Sequence, residues 1–452
     1  MKFIISFAFI LGTFITQAQT SAPFADVDAL LGTGSMIDAM TALRQLKENH
    51  LQDTGNAEYW LRYSKASYIF YKYDDAKWAI QKAISLSPKQ GKYYYEKGLL
   101  YNRINELDTA LSALEKATGL EKNGEYYYWK GIVNQQLRRD SAARADYEKT
   151  LALKFETAEL YNNLSILLSD EGRYKEALDR INSAIRLNTA YGPAYSARAR
   201  ICFFLIQVDS TCADRNRALA MGYKKTFNLP DSICSGPQKQ KIQYATEILA
   251  TNKFYEPAIT GFNKLIEMPD PKSDYYLNRG YCYYQLKDYK HAEEDYMQAL
   301  TYPDAAKDLL YDNLSLLYFD QNNFVKSLEY TNKRIDLDPK NHVAYLDRGL
   351  CYRKMKQYKE AEADYNKSLE LKPDFFRAFG YRSFLYLELG QYQKSFDDAS
   401  KSVEINPKYD YGYLVLAQAK QKLGMTDYCI DLFKAKQNGS HEADAAIMEM
   451  CK

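Results

Sequence analysis

Histidine is scarce: His50, His291, His342 and His441 are the only four in 452 residues. They lie far apart, no HExxH or comparable spacing joins them, and no metal site is called for. A GxSxG elbow, a phosphate loop and a GxGxxG fingerprint are all missing, so nothing proposes an enzyme or a cofactor. Glu293, Glu294 and Asp295 make a short carboxylate run. On a helix they point in different directions, and a solvated face is expected. Charge of one sign is lacking too: Lys+Arg is 60, Asp+Glu is 58, and no block of five like charges occurs. Nothing therefore marks a nucleic-acid or anionic-membrane surface. Long apolar runs are missing after the first turn of the chain. Lys2 is followed by an apolar run, Phe3 to Ile15, and by small residues at Thr16 and Ala18. This reads as a secretory signal peptide, residues 1–18, cleaved near Ala18/Gln19. A membrane span would need about 20 apolar residues. The expected location is exported, periplasmic or secreted. Cysteine does not occur before Cys202, which excludes a lipid-modified amino-terminal cysteine.

What is abundant is tyrosine, with 42 residues against 12 Pro and 21 Gly. Much of it follows one 34-residue pattern, seen clearly from His342 to Phe375. Tyr345, Arg348/Gly349 and Tyr352 fall at helical spacing, then Tyr358, Ala361, Tyr365, Ser368 and Leu371, and Pro373 closes the unit. The polar run Lys354 to Gln357 between them reads as a turn, giving helix, turn, helix. Counterparts of Ala361 are Ala76, Ala110, Ala143, Ala177, Thr211, Ala258, Ala292, Ser327, Ser395 and Cys429, at intervals of 33 to 35 with a single 47. The long interval places an irregular joint at 226–238 between five repeats (57–225) and six more (239–437). Residues 19–56 form an atypical helical cap, with Met36, Ala39/Met40, Leu43 and Leu46 on one face. Residues 438–452 form a carboxy-terminal capping helix begun by Ser440.

This pattern resembles the tetratricopeptide repeat, whose positions match Tyr345, Gly349, Tyr352, Ala361, Tyr365, Ser368 and Pro373. The departures are local: Arg334 and Lys436 stand where Ala is usual, and Lys122, Thr189 and Asp304 where Pro closes the unit. The resemblance implies an all-α, right-handed superhelical solenoid of about eleven repeats in two blocks. It also implies a concave groove lined by the first helices. Carried over, groove positions include Leu61, Tyr95, Tyr128, Leu277 and Leu346, then Leu99, Ile132, Ile166, Leu316 and, on the next turn, Tyr68 and Phe203. Partner binding is expected at Tyr281, Tyr284, Phe319, Leu350 and Phe384, an apolar strip whose binding should weaken only modestly with salt. The family's carboxylate clamp is not matched, because no groove position supplies its Lys together with its Asn. The implied function is a non-enzymatic scaffold or adaptor for an envelope protein or extended peptide. The alternative is a carbohydrate or peptidoglycan-binding module that stacks sugars on groove aromatics.

Seven cysteines in an exported chain ask for disulfides. Cys212 and Cys234 are 22 apart, as are Cys429 and Cys451, and each pair begins in a repeat's second helix and ends where the pattern stops. Both are expected to close as staples. Cys202, Cys282 and Cys351 are expected to be buried thiols.

Overall fold

The structure, a computed structural model, describes residues 24–227 and 229–451; the signal-peptide segment 1–18 lies outside the described residues. The described chain is all-α, with 26 α-helices and one short 3-10 helix, Leu51–Gly55. Eleven antiparallel pairs run from Ala57–Ile69 with Tyr73–Leu86 to Asp410–Lys422 with Tyr428–Gln437. No helix among the described residues is long and apolar enough to cross a membrane. The described residues form two compact units, 24–201 with 213–227, and 202–212 with 229–451.

The turn inside each pair has one recurring geometry. A left-handed residue follows every first helix: Tyr71, Asn105, Arg138, Gly172, Ile206, Lys253, Lys287, Asn322, Lys356, Gly390 and Gly424. Each stands five residues before the small residue of its repeat. The next amide then donates back across the helix end, as Gln357 N does to Tyr352 O at 2.9 Å, closing the Schellman arrangement that satisfies orphan carbonyls. Ten of the eleven small residues are fully buried between the helices they join. The eleventh, Cys429, is half-buried and disulfide-bonded.

Two contacts, both spanning 16 residues, lock the pairs. Tyr147, Tyr296 and Tyr365 are the largest fully buried side chains, and each fills the space beside a glycine of the facing helix, Gly131, Gly280 and Gly349. A methyl on Gly349 would lie 2.6 Å from the Tyr365 ring. Immediately before that position stands a cation. Arg198, Arg279, Arg348 and Arg382 each donate two bonds to a carboxylate 16 residues on, Asp214, Asp295, Asp364 and Asp398, at 2.6–2.8 Å. The remaining guanidinium edge donates to an asparagine 16 residues back, Asn182, Asn263, Asn332 or Asn366. The result is a planar bridge across three helices, the geometry for which arginine rather than lysine is suited. Asp295 is therefore buried and paired, and the expected solvated face holds only for exposed Glu294. Burial raises the Asp295 carboxyl, and Arg279 opposes that shift.

Both expected disulfides are present, Cys212–Cys234 and Cys429–Cys451, each with a Cα–Cα distance of 5.7 Å. The first ties Val208–Ala220 to the five-residue helix Asp231–Ser235 inside the joint; the second ties Tyr428–Gln437 to the end of Glu442–Met450. Cys282 and Cys351 are buried thiols, and Cys202 is buried as well. Two local expectations need correction. Ser440 does not cap the last helix, because its amide closes the preceding turn on Ala435 O and His441 takes the cap position. In the amino-terminal helix Met36–Asn49 the buried face is Ala39, Ala42 and Leu46, while Met36 and Met40 are exposed.

Candidate functional site

In the second unit, the first helices of three successive repeats, Lys307–Asp320, His342–Lys354 and Phe376–Glu388, border one cavity of about 380 Å³. Leu316, Phe319, Val343, Leu350 and Tyr381 give it apolar walls, and Leu316 remains 46% exposed. Helical periodicity places Leu316 and Phe319 on one face, and the repeat period brings Leu350 beside them. Polar groups also reach it: Asp312, Asp320, Asp347 and Arg377. The strip expected to be uncharged is therefore lined by three carboxylates and one cation.

Two of these carboxylates, Asp312 and Asp347, are held by Arg334, the residue found where the repeat usually has Ala. It descends from the second helix Phe324–Leu337, is almost wholly buried, and reaches Asp308 at 3.3 Å, Asp312 at 2.5 Å and Asp347 at 3.0 Å. One guanidinium thus gathers aspartates from two repeats. Burial pushes the Asp347 carboxyl up to about 6, with Arg334 opposing and Asp312 adding. Burial also raises Asp312, again against Arg334. Cys351 lies in the same wall, its Sγ 3.1 Å from Ser327 Oγ, and burial raises its pKa to about 11, so it stays a neutral thiol.

Of the five residues singled out from sequence, Phe319 and Leu350 meet in this cavity. Tyr284 adjoins it, since its hydroxyl donates to Asp320. Tyr281 is 43% exposed but stands apart, edge-on to Tyr255. Phe384 is not a free ring: the Arg353 guanidinium covers it at 4.8 Å, and Tyr411 packs beside it. Of the other residues placed in the groove by resemblance, Leu277 and Leu346 are buried within the helix packing, whereas Leu61, Tyr68, Tyr95 and Leu99 line a cavity of about 420 Å³ in the first unit. Asp347 reaches the cavity from the same helix as Leu350, so that face carries a charged group beside an apolar one. The polar residues missed from sequence are Asp312, Asp320, Asp347 and Arg377. For Asp312 and Asp347 the signal was Arg334 itself, a charge at a small-residue position that had to find partners inside.

Comparison with known proteins agrees with the repeat pattern. Tetratricopeptide-repeat models match residues 342–375, 91–123 with 273–304, and 157–185. Four segments of the chain are therefore similar to the tetratricopeptide repeat, at the period read from the sequence. It is 23% identical over 314 residues to a TPR repeat-containing protein of Methanocaldococcus jannaschii, covering 67% of this chain and 48% of that one. It is 22% identical over 306 residues to tetratricopeptide repeat protein 16 of Mus musculus, covering 63% and 40%. The chain thus spans about half or less of the length of these curated relatives. Among solved structures, yeast Tom70 is similar at a TM-score of 0.37 and 13% identity, covering 86% of this chain and 93% of that one.

Proposed function

We propose that this chain is a non-enzymatic adaptor of the cell envelope, exported by its amino-terminal segment, and that it binds an envelope protein or an extended peptide in its second unit. Tetratricopeptide repeats serve protein and peptide recognition as a class, and the observation that supports this placement is the cavity between Leu316, Phe319, Val343, Leu350 and Tyr381. It is open, walled by apolar side chains, and crossed by three parallel first helices, which suits side chains of an extended segment. The sugar-binding alternative needs free ring faces in a row. Phe384 is already covered by Arg353 and Tyr284 is tied to Asp320, so that reading is less well supported.

The test is crosslinking capture from native envelope with the full secreted chain, compared with Leu316→Ser/Leu350→Ser and with capture on cell-wall glycan. A defined protein partner lost in the double variant, whose helicity is unchanged, supports the adaptor. Capture that is indifferent to the double variant, or retention on glycan alone, overturns it.

A further inference from the structure

The cavity is apolar on one side and anionic on the other, and that asymmetry selects among peptides. Asp308, Asp312, Asp320 and Asp347 surround it or stand directly behind it, against the two cations Arg334 and Arg377. Four carboxylates against two guanidinia leave an excess of two negative charges. Arg334 cannot serve an incoming anion, because three aspartates already take its guanidinium. An acidic ligand would have only Arg377 and would face Asp312, Asp320 and Asp347 at close range. A cation meets the opposite situation: carboxylates on two neighbouring helices, with Leu316, Phe319 and Leu350 beside them for the aliphatic stem.

We propose that this cavity binds a lysine or arginine side chain of an extended peptide, with apolar neighbours of that residue seated on Leu316, Phe319 and Leu350. This rests on the peptide-binding reading above and gives it a sign: the groove prefers basic segments, the reverse of a site for a carboxylate terminus. The raised Asp347 carboxyl is consistent with it, since burial and Asp312 outweigh Arg334 and Arg377 there and a further cation would favour the ionised form.

The experiment is selection of random heptapeptides displayed on phage against the full secreted chain, followed by fluorescence anisotropy of one selected peptide made synthetically. Lys or Arg should be enriched at one fixed place beside an apolar residue. Changing that Arg to citrulline, or Lys to norleucine, should weaken binding at least tenfold. Asp320→Asn and Asp347→Asn should each weaken the parent peptide several-fold and shrink the penalty of the neutral peptide. Asp320 is exposed, so its variant keeps the test open if Asp347→Asn fails to fold. Enrichment of acidic residues, or basic enrichment that both variants leave unchanged, overturns the proposal. Peptides without basic residues whose binding Leu350→Ser abolishes overturn it while sparing the groove reading. No enrichment of any kind overturns both.

Discussion

Removing the carboxylate of one three-helix bridge tests whether these bridges hold the repeats together. In Asp364→Ala the Arg348 guanidinium loses both bonds to a side chain that is only 7% exposed and keeps a single bond to Asn332. Breaking a buried pair by deleting one partner costs about 3–5 kcal/mol. Arg348 is 22% exposed, so water reaches part of the freed charge, and the expected loss falls to about 2–3 kcal/mol. Arg348→Met with Asp364→Leu removes the charge along with its partner and should lose less than Asp364→Ala alone. Repeat arrays need not unfold in one step, so a global melting curve would blur a local change. Native-state hydrogen exchange is the suitable assay. Amides of His342–Lys354 and Tyr358–Leu371 should exchange about 30- to 150-fold faster in Asp364→Ala, at roughly tenfold per 1.4 kcal/mol, with the first unit unaffected. Exchange under threefold faster, or a double variant faster than the single, would refute the reasoning.

Other expectations follow from neighbouring features. Lys356 is exposed and left-handed, so Lys356→Gly should stabilise its repeat by about 1 kcal/mol, while Gly390→Ala should destabilise by a similar amount; thermal midpoints moving the other way would count against the turn geometry. Gly349→Ala should destabilise by about 1–2 kcal/mol, because overpacking against fully buried Tyr365 exceeds the gain in helix propensity, and an unchanged midpoint would mean the ring can shift. Burial raises Asp347 to about 6, above its unfolded value of 3.8, so the folded state binds the extra proton between those values. Stability should fall as pH rises from about 4 to 6, and Asp347→Asn should remove that part of the slope; identical pH profiles would exclude it. Cys429→Ser/Cys451→Ser opens a 22-residue span and should loosen the last repeat by about 3 kcal/mol, seen as faster exchange in Tyr428–Gln437 and nowhere in the first unit.

The repeat was legible because its small residues are required wherever two helices cross, and crossing distance admits little else. The turn was less so. Its left-handed residue is Tyr, Asn, Arg, Ile or Lys in eight of eleven repeats, since the two packed helices impose the turn and glycine is not needed to permit it. The bridges were visible in principle, as Arg 16 residues before Asp. Asp295 sat in a run of three carboxylates, and local sequence does not say which of three neighbours faces inward. The site was half legible. Phe319 and Leu350 follow from the period, but Phe384 has the same period and is covered, because Arg353 extends from the preceding repeat onto its ring. A long side chain borrowed from the preceding repeat is not written in the repeat that it alters.

The two disulfides also set what happens when the chain is pulled from its ends. A repeat of 34 residues that unravels releases roughly 110–120 Å of extended chain, at about 3.3–3.6 Å per residue. Each staple withholds the 22-residue span between its sulfurs, about 70–80 Å, whatever force the fold itself resists. Under tension the protein should therefore lengthen in two kinds of step, full for an ordinary repeat and shortened for those that carry a staple. Reduction of the disulfides would make the steps uniform, so oxidation acts as a length stop at the joint and at the carboxy-terminal end.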